Sequence, residues 1–588
     1  MKKTIQKYFK NLIWFYNYMG VKIFIAFFLS TLVGFLDGFG LTMFLPLLNV
    51  MTGDGQASFE DMGNLSFISQ FIETSGFEVS LILILQLMIL FFVLKAITKY
   101  SNDILKVILQ QKLILSVRVD LLNLINNINY KFFAKSNIGR IQNTMTGELT
   151  RIQTAYDYYF QILEQSVLVI VYMAFAYYVD FKFALLITIG GAIANLFYKA
   201  IHKLSEGLSL KFSADNNTYE GQVIQHITNF KYLRATGSAD NFANRLINTI
   251  KKIETSRKKL GFLNSLIKAV REPLLIIIVS SVILLQTYFL GGEIAPIIIS
   301  LLFFFRALSS LTQLQHNRNM FLANSGSIKN LQSFQEDLKT NQIISKGDIP
   351  YKFKNKIELS NLSFSYDDEK IIDSVSLEIL KNQTVALIGE SGSGKTTLVN
   401  LISGLLRNDS GNITIDGTRL KEIDKNTFHE KIGYITQEPV IFNDSVFNNV
   451  TFWDDKNEQN TKRFFAALKK ASLFETVTNM KLKEDELLGN NGINLSGGQK
   501  QRISIARELY KDVEILIMDE ATSALDTETE KRIQENIEAL KGKYTIIVIA
   551  HRISTIKNTD RVILLDNGKI IETGTFSQII KNHPQYSY

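Results

Sequence analysis

The stretch of sequence best suited to chemistry is a glycine-rich segment, residues 384–399, which reads TVALIGESGSGKTTLV. An apolar run of strand length precedes the glycines and a helix pattern follows Lys395, which is the GxxxxGK[ST] order of a phosphate-binding loop. Because they lack a Cβ, Gly389, Gly392 and Gly394 let the backbone turn tightly and direct its N–H groups at a polyphosphate. The sequence therefore predicts a nucleotide site rather than a ligand-free turn.

Individual side chains of this loop have predicted roles. Lys395 would reach the β- and γ-phosphates, and Thr396 would ligate Mg²⁺ through its hydroxyl. Ser391 and Thr397 complete the predicted contacts with the nucleotide. The loop thus predicts a nucleotide and Mg²⁺ as cofactors.

An acidic pair follows a later apolar strand, at 515–518. Asp519 would hold the Mg²⁺, mostly through water, and Glu520 would polarise the water that attacks the γ-phosphate. The next apolar strand, at 545–550, ends in His551, which is placed to contact the γ-phosphate. Glu520 and His551 are the predicted catalytic residues.

A second phosphate-binding feature lies between the loop and the acidic pair, at 495–499, which reads LSGGQ. Ser496 and the N–H groups of Gly497 and Gly498 would form an anion site at a helix N-terminus, with Gln499 beside them. Because the chain already has one phosphate-binding loop, we expect this site to serve the nucleotide of a second copy.

The composition separates two unlike parts of the chain. At 588 residues we expect two or more domains, and the long apolar runs crowd the region before Met320. The absence of cysteine excludes disulfides and thiolate metal sites. The net charge of +8 lies in loops that flank apolar runs, which favours a membrane protein with basic cytosolic loops over a nucleic-acid binder.

Six stretches approach or exceed the roughly 20 apolar residues that cross a bilayer. They are 21–50, 79–97, 158–179, 183–201, 273–290 and 294–311. The loop at 51–78 is acidic and the N-terminus is basic, so both termini and the nucleotide domain are predicted to be cytosolic. Long helical connections, at 98–157 and 202–272, are predicted to continue the spans into the cytosol and return.

The elements that position the chemistry thus form two domains. We predict an α-helical membrane domain at 1–331, a polar linker at 332–355 and an α/β domain with the phosphate-binding loop at 356–588. No cleaved signal peptide is predicted, because the basic N-terminus is not followed by a short apolar core with a small-residue cleavage site.

The ordered motifs GESGSGKTT, LSGGQ, ILIMDE, SALD and His551 resemble the nucleotide-binding domain of ABC transporters, and with six spans the chain resembles an exporter-type half-transporter. The resemblance implies an ATP hydrolase coupled to transport and a homodimer. It implies that Tyr366 stacks on adenine, that Gln437 contacts Mg²⁺, and that turns near 130–136 and 229–232 dock on nucleotide domains. One departure is Asn490, where such exporters usually have a glutamate before the signature.

Three cations lie in or near the spans: Lys95, Arg271 and Arg306. An unpaired cation in the low-dielectric layer is costly, so each should face a cavity or a partner, which for Arg271 could be Glu272. Asp37, in the first span, is a further intramembrane charge. Snorkelling to the membrane surface is the alternative to a role in binding an anionic ligand.

The membrane half also resembles one branch of the family, the flippases of lipid-linked oligosaccharides in bacterial N-glycosylation. The shared stretches are LDGFGLTMFLPLL, NINYKFFAKSNIGRIQNTMTGEL and NFKYLRATGS. This resemblance implies that Lys95, Arg271 and Arg306 meet the pyrophosphate of an amphipathic substrate, and that the protein lies among the lipids of a bacterial inner membrane. The alternatives are a lipid, peptide or drug exporter of the same fold, and a membrane-tethered ATPase regulator or channel.

Overall fold

The computed structural model describes residues 2–44, 46–47, 81–136, 138–289, 294–343, 347–367, 369–519, 535, 538–550 and 556–586. The acidic outer loop and two predicted catalytic residues, Glu520 and His551, lie outside these ranges. The contacts divide the chain into a membrane unit, Met1–Asn126 with Asn137–Leu338, and a nucleotide unit, Asn127–Ser136 with Lys339–Tyr588.

Long helices make up the membrane unit. In chain order the helices as far as Thr340 are α1 Lys2–Met19, α2 Lys22–Thr42, α3 Leu81–Asn126, α4 Tyr130–Lys135, α5 Ile138–Asn143, α6 Leu149–Val179, α7 Phe181–Thr228, α8 Phe230–Ala235, α9 Ala239–Phe289 and α10 Ile294–Thr340. Of these, α4 belongs to the nucleotide unit. A π-helical turn, Thr144–Glu148, joins α5 to α6. Helix α2 packs against α3 and α6, and α7 packs against α9.

Four helices of the described part are long and apolar enough to cross a membrane: Lys22–Thr42, Leu81–Asn126, Ile138–Val179 and Ile297–Thr340. Two shorter apolar segments, Phe181–Ala192 and Ile276–Tyr288, coincide with the remaining predicted spans. Helix α3 has 46 residues, a length of about 70 Å at 1.5 Å per residue, which exceeds the roughly 30 Å hydrocarbon layer. The predicted helical extensions are therefore present, and the predicted linker at 332–355 begins inside α10.

Helices α2 and α6 approach closely at two glycines one turn apart. A Cβ on Gly38 would lie 2.3 Å from the ring of Phe175, and one on Gly34 would lie 3.3 Å from Val171. Small residues spaced in this way let helix backbones approach within a membrane, where apolar burial alone does not drive association. The part of α2 that contains Gly34 and Gly38 therefore forms a packing surface.

The nucleotide unit contains two sheets. Its strands are β1 Lys356–Tyr366, β2 Glu369–Leu380, β3 Thr384–Ile388, β4 Ser410–Ile415, β5 Thr418–Arg419, β6 Ile432–Ile435, β7 Ile515–Asp519, β8 Thr545–Ile549, β9 Arg561–Asp566 and β10 Lys569–Gly574. Its further helices are α11 Lys395–Ile402, α12 Lys425–His429, α13 Val446–Thr451, α14 Glu458–Lys470, α15 Phe474–Thr478, α16 Gly497–Tyr510 and α17 Phe576–Asn582.

The larger sheet has the order β10-β9-β3-β8-β7-β6, and the smaller, antiparallel sheet has the order β2-β1-β4-β5. Strands β9, β3, β8, β7 and β6 run parallel. All of β3 and β8 is buried, which is what a parallel strand covered on both faces requires. Because the carboxyl ends of parallel strands meet at one edge, the carboxyl ends of β3, β8 and β7 lie side by side there.

Candidate functional site

The phosphate-binding loop connects β3 to α11, as the sequence predicts. Lys395, the first residue of α11, is 6% exposed, and its Nζ donates hydrogen bonds to the carbonyl oxygens of Gly389 at 2.9 Å and Glu390 at 2.8 Å. The lysine therefore folds back across its own loop, beside the backbone that would surround a phosphate. Ser391 and Thr396 are exposed, and Thr397 is half-buried.

Two of the loop glycines occupy positions that other residues would not fit. Gly389 has φ 147° and a Cβ there would lie 2.0 Å from the carbonyl oxygen of Leu565. Gly394 has φ 100°, in the left-handed region that favours glycine. A Cβ on Gly392 would meet nothing within 4 Å, so the loop leaves open space at that residue.

The loop suits a bound phosphate on one further observation. The hydroxyl of Ser393 is buried and has no hydrogen-bond partner among the described residues, and a buried polar atom without a partner is costly unless a ligand or water supplies one. Together with the space at Gly392 and the adjacent ammonium of Lys395, this arrangement fits a nucleotide phosphate. Mg²⁺, when bound, would be held by Thr396 and Asp519, with Gln437 as a further ligand.

Asp519 ends β7, where it pairs in register with Ile549 of β8. The phosphate-binding loop follows β3, which is next to β8. Burial, and then the negative charge of Asp519, raise the pKa of Tyr434 on the neighbouring β6. Gln437 is exposed and lies two residues after β6. The sheet thus brings the loop, Asp519 and Gln437 to one edge, while Glu520 and His551 lie beyond the described residues.

The signature motif begins α16, as the sequence predicts. Ser496 is the N-cap: its Oγ accepts from the N–H of Gln499 at 3.3 Å, and the side chain of Gln499 accepts from the N–H of Ser496 at 2.9 Å. This capping box keeps the side chain of Gln499 on its own helix. Ser496, Gly497 and Gly498 thereby sit at the positive end of a 14-residue helix.

A buried arginine holds this helix in place. Arg507 is 4% exposed and donates to the carbonyl oxygens of Asn449 at 2.6 Å and Val440 at 2.8 Å. Its guanidinium also lies 5.2 Å from the ring centre of Phe442. Arg507 therefore fixes the orientation of the signature helix, a role that the motif analysis missed because no sequence spacing marks it.

Tyr366, the predicted adenine-stacking residue, ends β1 beside the inner turn Asn127–Ser136. Its ring packs edge-on against Phe364, with centroids 4.9 Å apart, and the ammonium of Lys135 lies 5.9 Å from its centroid. Lys131 donates to the carbonyl oxygen of Ser365 at 2.9 Å. The predicted docking of this turn on a nucleotide domain is confirmed.

An ion pair secures the same turn. Lys135 bonds the carboxylate of Asp367, and this contact holds the pKa of Asp367 below its usual value. No motif in the sequence predicts this pair, although opposite charges lie on the turn and beside Tyr366.

The membrane unit brings intramembrane charges together. Asp37 on α2 is 1% exposed; it accepts from Nζ of Lys95 on α3 at 2.5 Å and from the hydroxyl of Tyr172 on α6. Arg306 on α10 is exposed and close enough to act electrostatically on Tyr172. We call Asp37, Lys95, Tyr172 and Arg306 the intramembrane charge cluster. Arg271 lies in α9, and its side chain is outside the described part.

Comparison with known protein families gives two matches. The family described as ABC transporter matches residues 372–523, which include the phosphate-binding loop, the signature and the acidic pair. The family described as ABC transporter transmembrane region matches residues 23–312.

Curated relatives match across both units. A protein of Desulfotalea psychrophila named ATP-dependent lipid A-core flippase is 30% identical over 85% of this chain and 88% of its own length. A protein of Francisella novicida with the same name is 26% identical over 85% of each chain. Among solved structures, a bacterial Atm1-family ABC exporter with ATP bound matches 96% of this chain and 98% of its own, with a TM-score of 0.74 and 19% identity. That last likeness concerns the fold alone.

Proposed function

The chain belongs to the ABC transporter family, as an exporter-type half-transporter and multi-pass membrane protein whose ATPase is coupled to transport, and we propose that it flips an anionic glycolipid. The substrate class is an amphipathic lipid with a phosphate or pyrophosphate near its sugars, moved from the inner to the outer leaflet of a bacterial cytoplasmic membrane. The nucleotide unit then faces the cytosol.

The observation that carries this proposal is the charge balance of the intramembrane charge cluster. Asp37 cancels the charge of Lys95, with which it pairs. Arg306 adds a second positive charge, and it has no carboxylate partner in the part of the chain that the structure describes. A surplus cation on an apolar helix is costly, and a substrate phosphate would compensate it through forked hydrogen bonds.

Two kinds of head group are consistent with such a site. The curated relatives are named for lipid A-core, and the membrane half resembles flippases of lipid-linked oligosaccharides. Both namings describe glycolipid cargo, and the surplus charge at Arg306 supports an anionic head group over a neutral drug. Lys95 would take part only if the substrate anion shared it with Asp37 or displaced that carboxylate.

The loop geometry around Lys395 and the motif order support the following roles in hydrolysis, of which those of Glu520 and His551 rest on the motif order alone. Lys395 and the loop N–H groups bind the phosphates, and Tyr366 stacks on the adenine. Thr396, Gln437 and Asp519 would hold the Mg²⁺. Glu520 polarises the attacking water and His551 contacts the γ-phosphate.

The functional unit in this proposal is a homodimer. One chain carries a complete phosphate-binding side and a complete signature side at Ser496 and Gly498. Two copies facing head to tail would therefore form two equivalent composite sites.

The substrate proposal is tested by transport in liposomes containing the purified protein. Arg306→Ala should lower the translocation of a pyrophosphate-linked oligosaccharide lipid and of lipid A-core by about tenfold or more, because one charge-assisted contact is lost. Basal ATP hydrolysis should persist. Arg271→Ala should act in the same direction unless Glu272 is its partner.

Arg318→Ala is the matched control, because it removes an exposed arginine from the same helix, α10, outside the intramembrane charge cluster. If the double variant of Arg306 and Arg271 flips both lipids as fast as the unmodified chain, the anionic-substrate proposal fails. A neutral or hydrophobic cargo would then replace it.

The homodimer is tested by complementation. Lys395→Ala should inactivate the phosphate-binding side, and Gly498→Asp should inactivate the signature side. A purified mixed dimer of the two variants would then contain one intact composite site, so its ATPase activity should exceed that of either variant alone. Equal inactivity of all three dimers, with each variant folded, would contradict shared sites.

A further inference from the structure

A cavity of about 300 Å³ lies in the nucleotide unit. Its walls come from three places: Asn129 and Lys131 of the inner turn, Gln342 and Ile343 after α10, and residues 404–425 of the nucleotide domain. No residue assigned above to ATP or Mg²⁺ lines it. The cavity therefore adjoins the inner turn without including any residue of the predicted hydrolytic site.

The lining of the cavity is strongly basic. Four cationic side chains line it, Lys131, Arg407, Lys421 and Lys425, against the single carboxylate of Asp409. Asp409 already accepts a hydrogen bond from the N–H of Ser365 at 2.7 Å. The carboxylate is thus partly committed to the backbone, and the cavity keeps a surplus of positive charge.

Lys425 is the side chain least suited to an empty cavity. It is half-buried at the start of α12 and has no carboxylate partner in the described part of the chain. Burial lowers the pKa of Lys425, and repulsion from Arg407 lowers it further. Two like charges that face each other across a partly buried space are stabilised when an anion lies between them.

Most of the remaining lining is apolar, beside the amides of Asn129, Gln342 and Asn408. Ile343, Leu405, Leu406, Ile413 and Leu420 line the cavity beside the cations. Its volume is at the lower end of the range for small-molecule sites, which are mainly apolar with a few placed polar groups. An inorganic ion would leave the apolar walls uncovered, whereas an anion with a compact apolar body would use both surfaces.

We propose that this cavity binds a small amphipathic phosphate ester, with its phosphate between Arg407 and Lys425 and its apolar body against the leucine and isoleucine walls. The same chemistry is present in a soluble phosphate ester and in the phosphomonoester head of an acidic lipid. Because Lys131 lines the same cavity and holds the inner turn to Ser365, the ligand joins that turn to the nucleotide domain.

The test uses the full-length protein in detergent, with its nucleotide sites saturated by a non-hydrolysable ATP analogue and Mg²⁺. Titration with 1-naphthyl phosphate, followed by its own fluorescence, should show saturable binding. Arg407→Met and Lys425→Met should each weaken that binding about tenfold, because each removes one charge-assisted contact. Lys470→Met, an exposed lysine of α14 away from the cavity, is the matched control and should leave the affinity unchanged.

Two further ligands identify the source of the phosphate. Inorganic phosphate should compete poorly, because it leaves the apolar walls uncovered. Strong competition by dihexanoyl phosphatidic acid assigns the site to a lipid head group, and weak competition assigns it to a soluble ester.

The proposal is overturned by an absence of saturable binding, by unchanged affinity in Arg407→Met, or by an equal loss in Lys470→Met. Arg407 is exposed, so its variant should fold and keep the test decisive even if Lys425→Met does not. Thermal denaturation of each variant verifies folding.

Discussion

The two units place their charged residues by different physical means. In the nucleotide unit, Lys395 follows β3 and Asp519 ends β7, the two parallel strands on either side of β8, so the fold of the sheet brings both residues to one edge. In the membrane unit, Asp37 meets Lys95 and Tyr172, which are 58 and 135 residues away on other helices. In the nucleotide unit the sheet topology determines where the charged side chains lie. In the membrane unit their positions depend on direct contacts between charged and polar side chains of different helices.

This difference explains why the nucleotide site is easier to predict from the sequence than the intramembrane charge cluster. A motif such as GxxxxGK[ST] contains both the residue and its geometry. A lysine on an apolar helix shows only that its positive charge needs a compensating partner in the membrane. It does not show which group is that partner. Four substitutions test whether the two units place their charged residues in these different ways.

Glu520→Gln tests the catalytic role that the motif order assigns to Glu520 in the nucleotide unit. ATP should still bind, but steady-state hydrolysis should fall by about 10²- to 10⁴-fold, because an amide cannot polarise the attacking water. Phosphate release measures turnover and a binding titration measures affinity. Glu475→Gln, an exposed carboxylate of the same unit, should be silent. Near-normal hydrolysis in Glu520→Gln would contradict the assignment of Glu520 as the residue that polarises the attacking water.

Asp37→Asn tests the ion pair between Asp37 and Lys95 in the membrane unit. The variant leaves the ammonium of Lys95 without a compensating charge, and we expect a loss of about 3–5 kcal/mol in the stability of the membrane unit. Thermal denaturation in detergent measures it. The double variant Asp37→Asn, Lys95→Met should recover most of the loss because no unpaired cation remains. If the double variant is no more stable than Asp37→Asn alone, the ion pair is not the reason that Asp37 and Lys95 occur together.

Gly38→Ala tests whether close helix packing supports that cluster. The added Cβ meets the ring of Phe175, and overpacking of this kind costs about 1–3 kcal/mol. Gly207→Ala is the control, since a Cβ there meets nothing within 4 Å and a helical alanine is favoured over glycine by about 1 kcal/mol. Denaturation temperatures that move in the same direction for both variants would argue against the close approach of α2 and α6.

Lys135→Ala should have the smallest effect. Its ion pair with Asp367 is solvent-exposed and therefore weak, so we expect less than about a fivefold change in lipid transported per ATP hydrolysed, diminishing further at high salt. The charge-swapped variant Lys135→Asp, Asp367→Lys should behave like the unmodified chain. A large, salt-independent defect in the single variant would show that the turn depends on this pair more than its exposure allows.

Much of the fold was predictable from apolar run length and motif order. Four of the six predicted spans are, in the described part of the chain, helices long and apolar enough to cross a membrane. The predicted helical extensions and the strand-loop-helix around Lys395 are also present. All of these were predictable, because each depends on local periodicity or on a short motif. The partner of Lys95 and the anchoring of α16 by Arg507 were not. Both depend on contacts between residues far apart in sequence, and such contacts have no local pattern. The site roles of Glu520 and His551 remain predictions.

The inner turn Asn127–Ser136 also has a consequence for how the protein is made. Lys131 bonds Ser365, which is 234 residues later in the chain. At about 5–20 residues per second, a ribosome needs roughly 10 to 50 seconds to travel from one to the other. Helices α3 and α6 are thus synthesised, and available for membrane insertion, well before β1, which the turn between them contacts, has been made. Docking of this turn is among the late steps in the biogenesis of the chain.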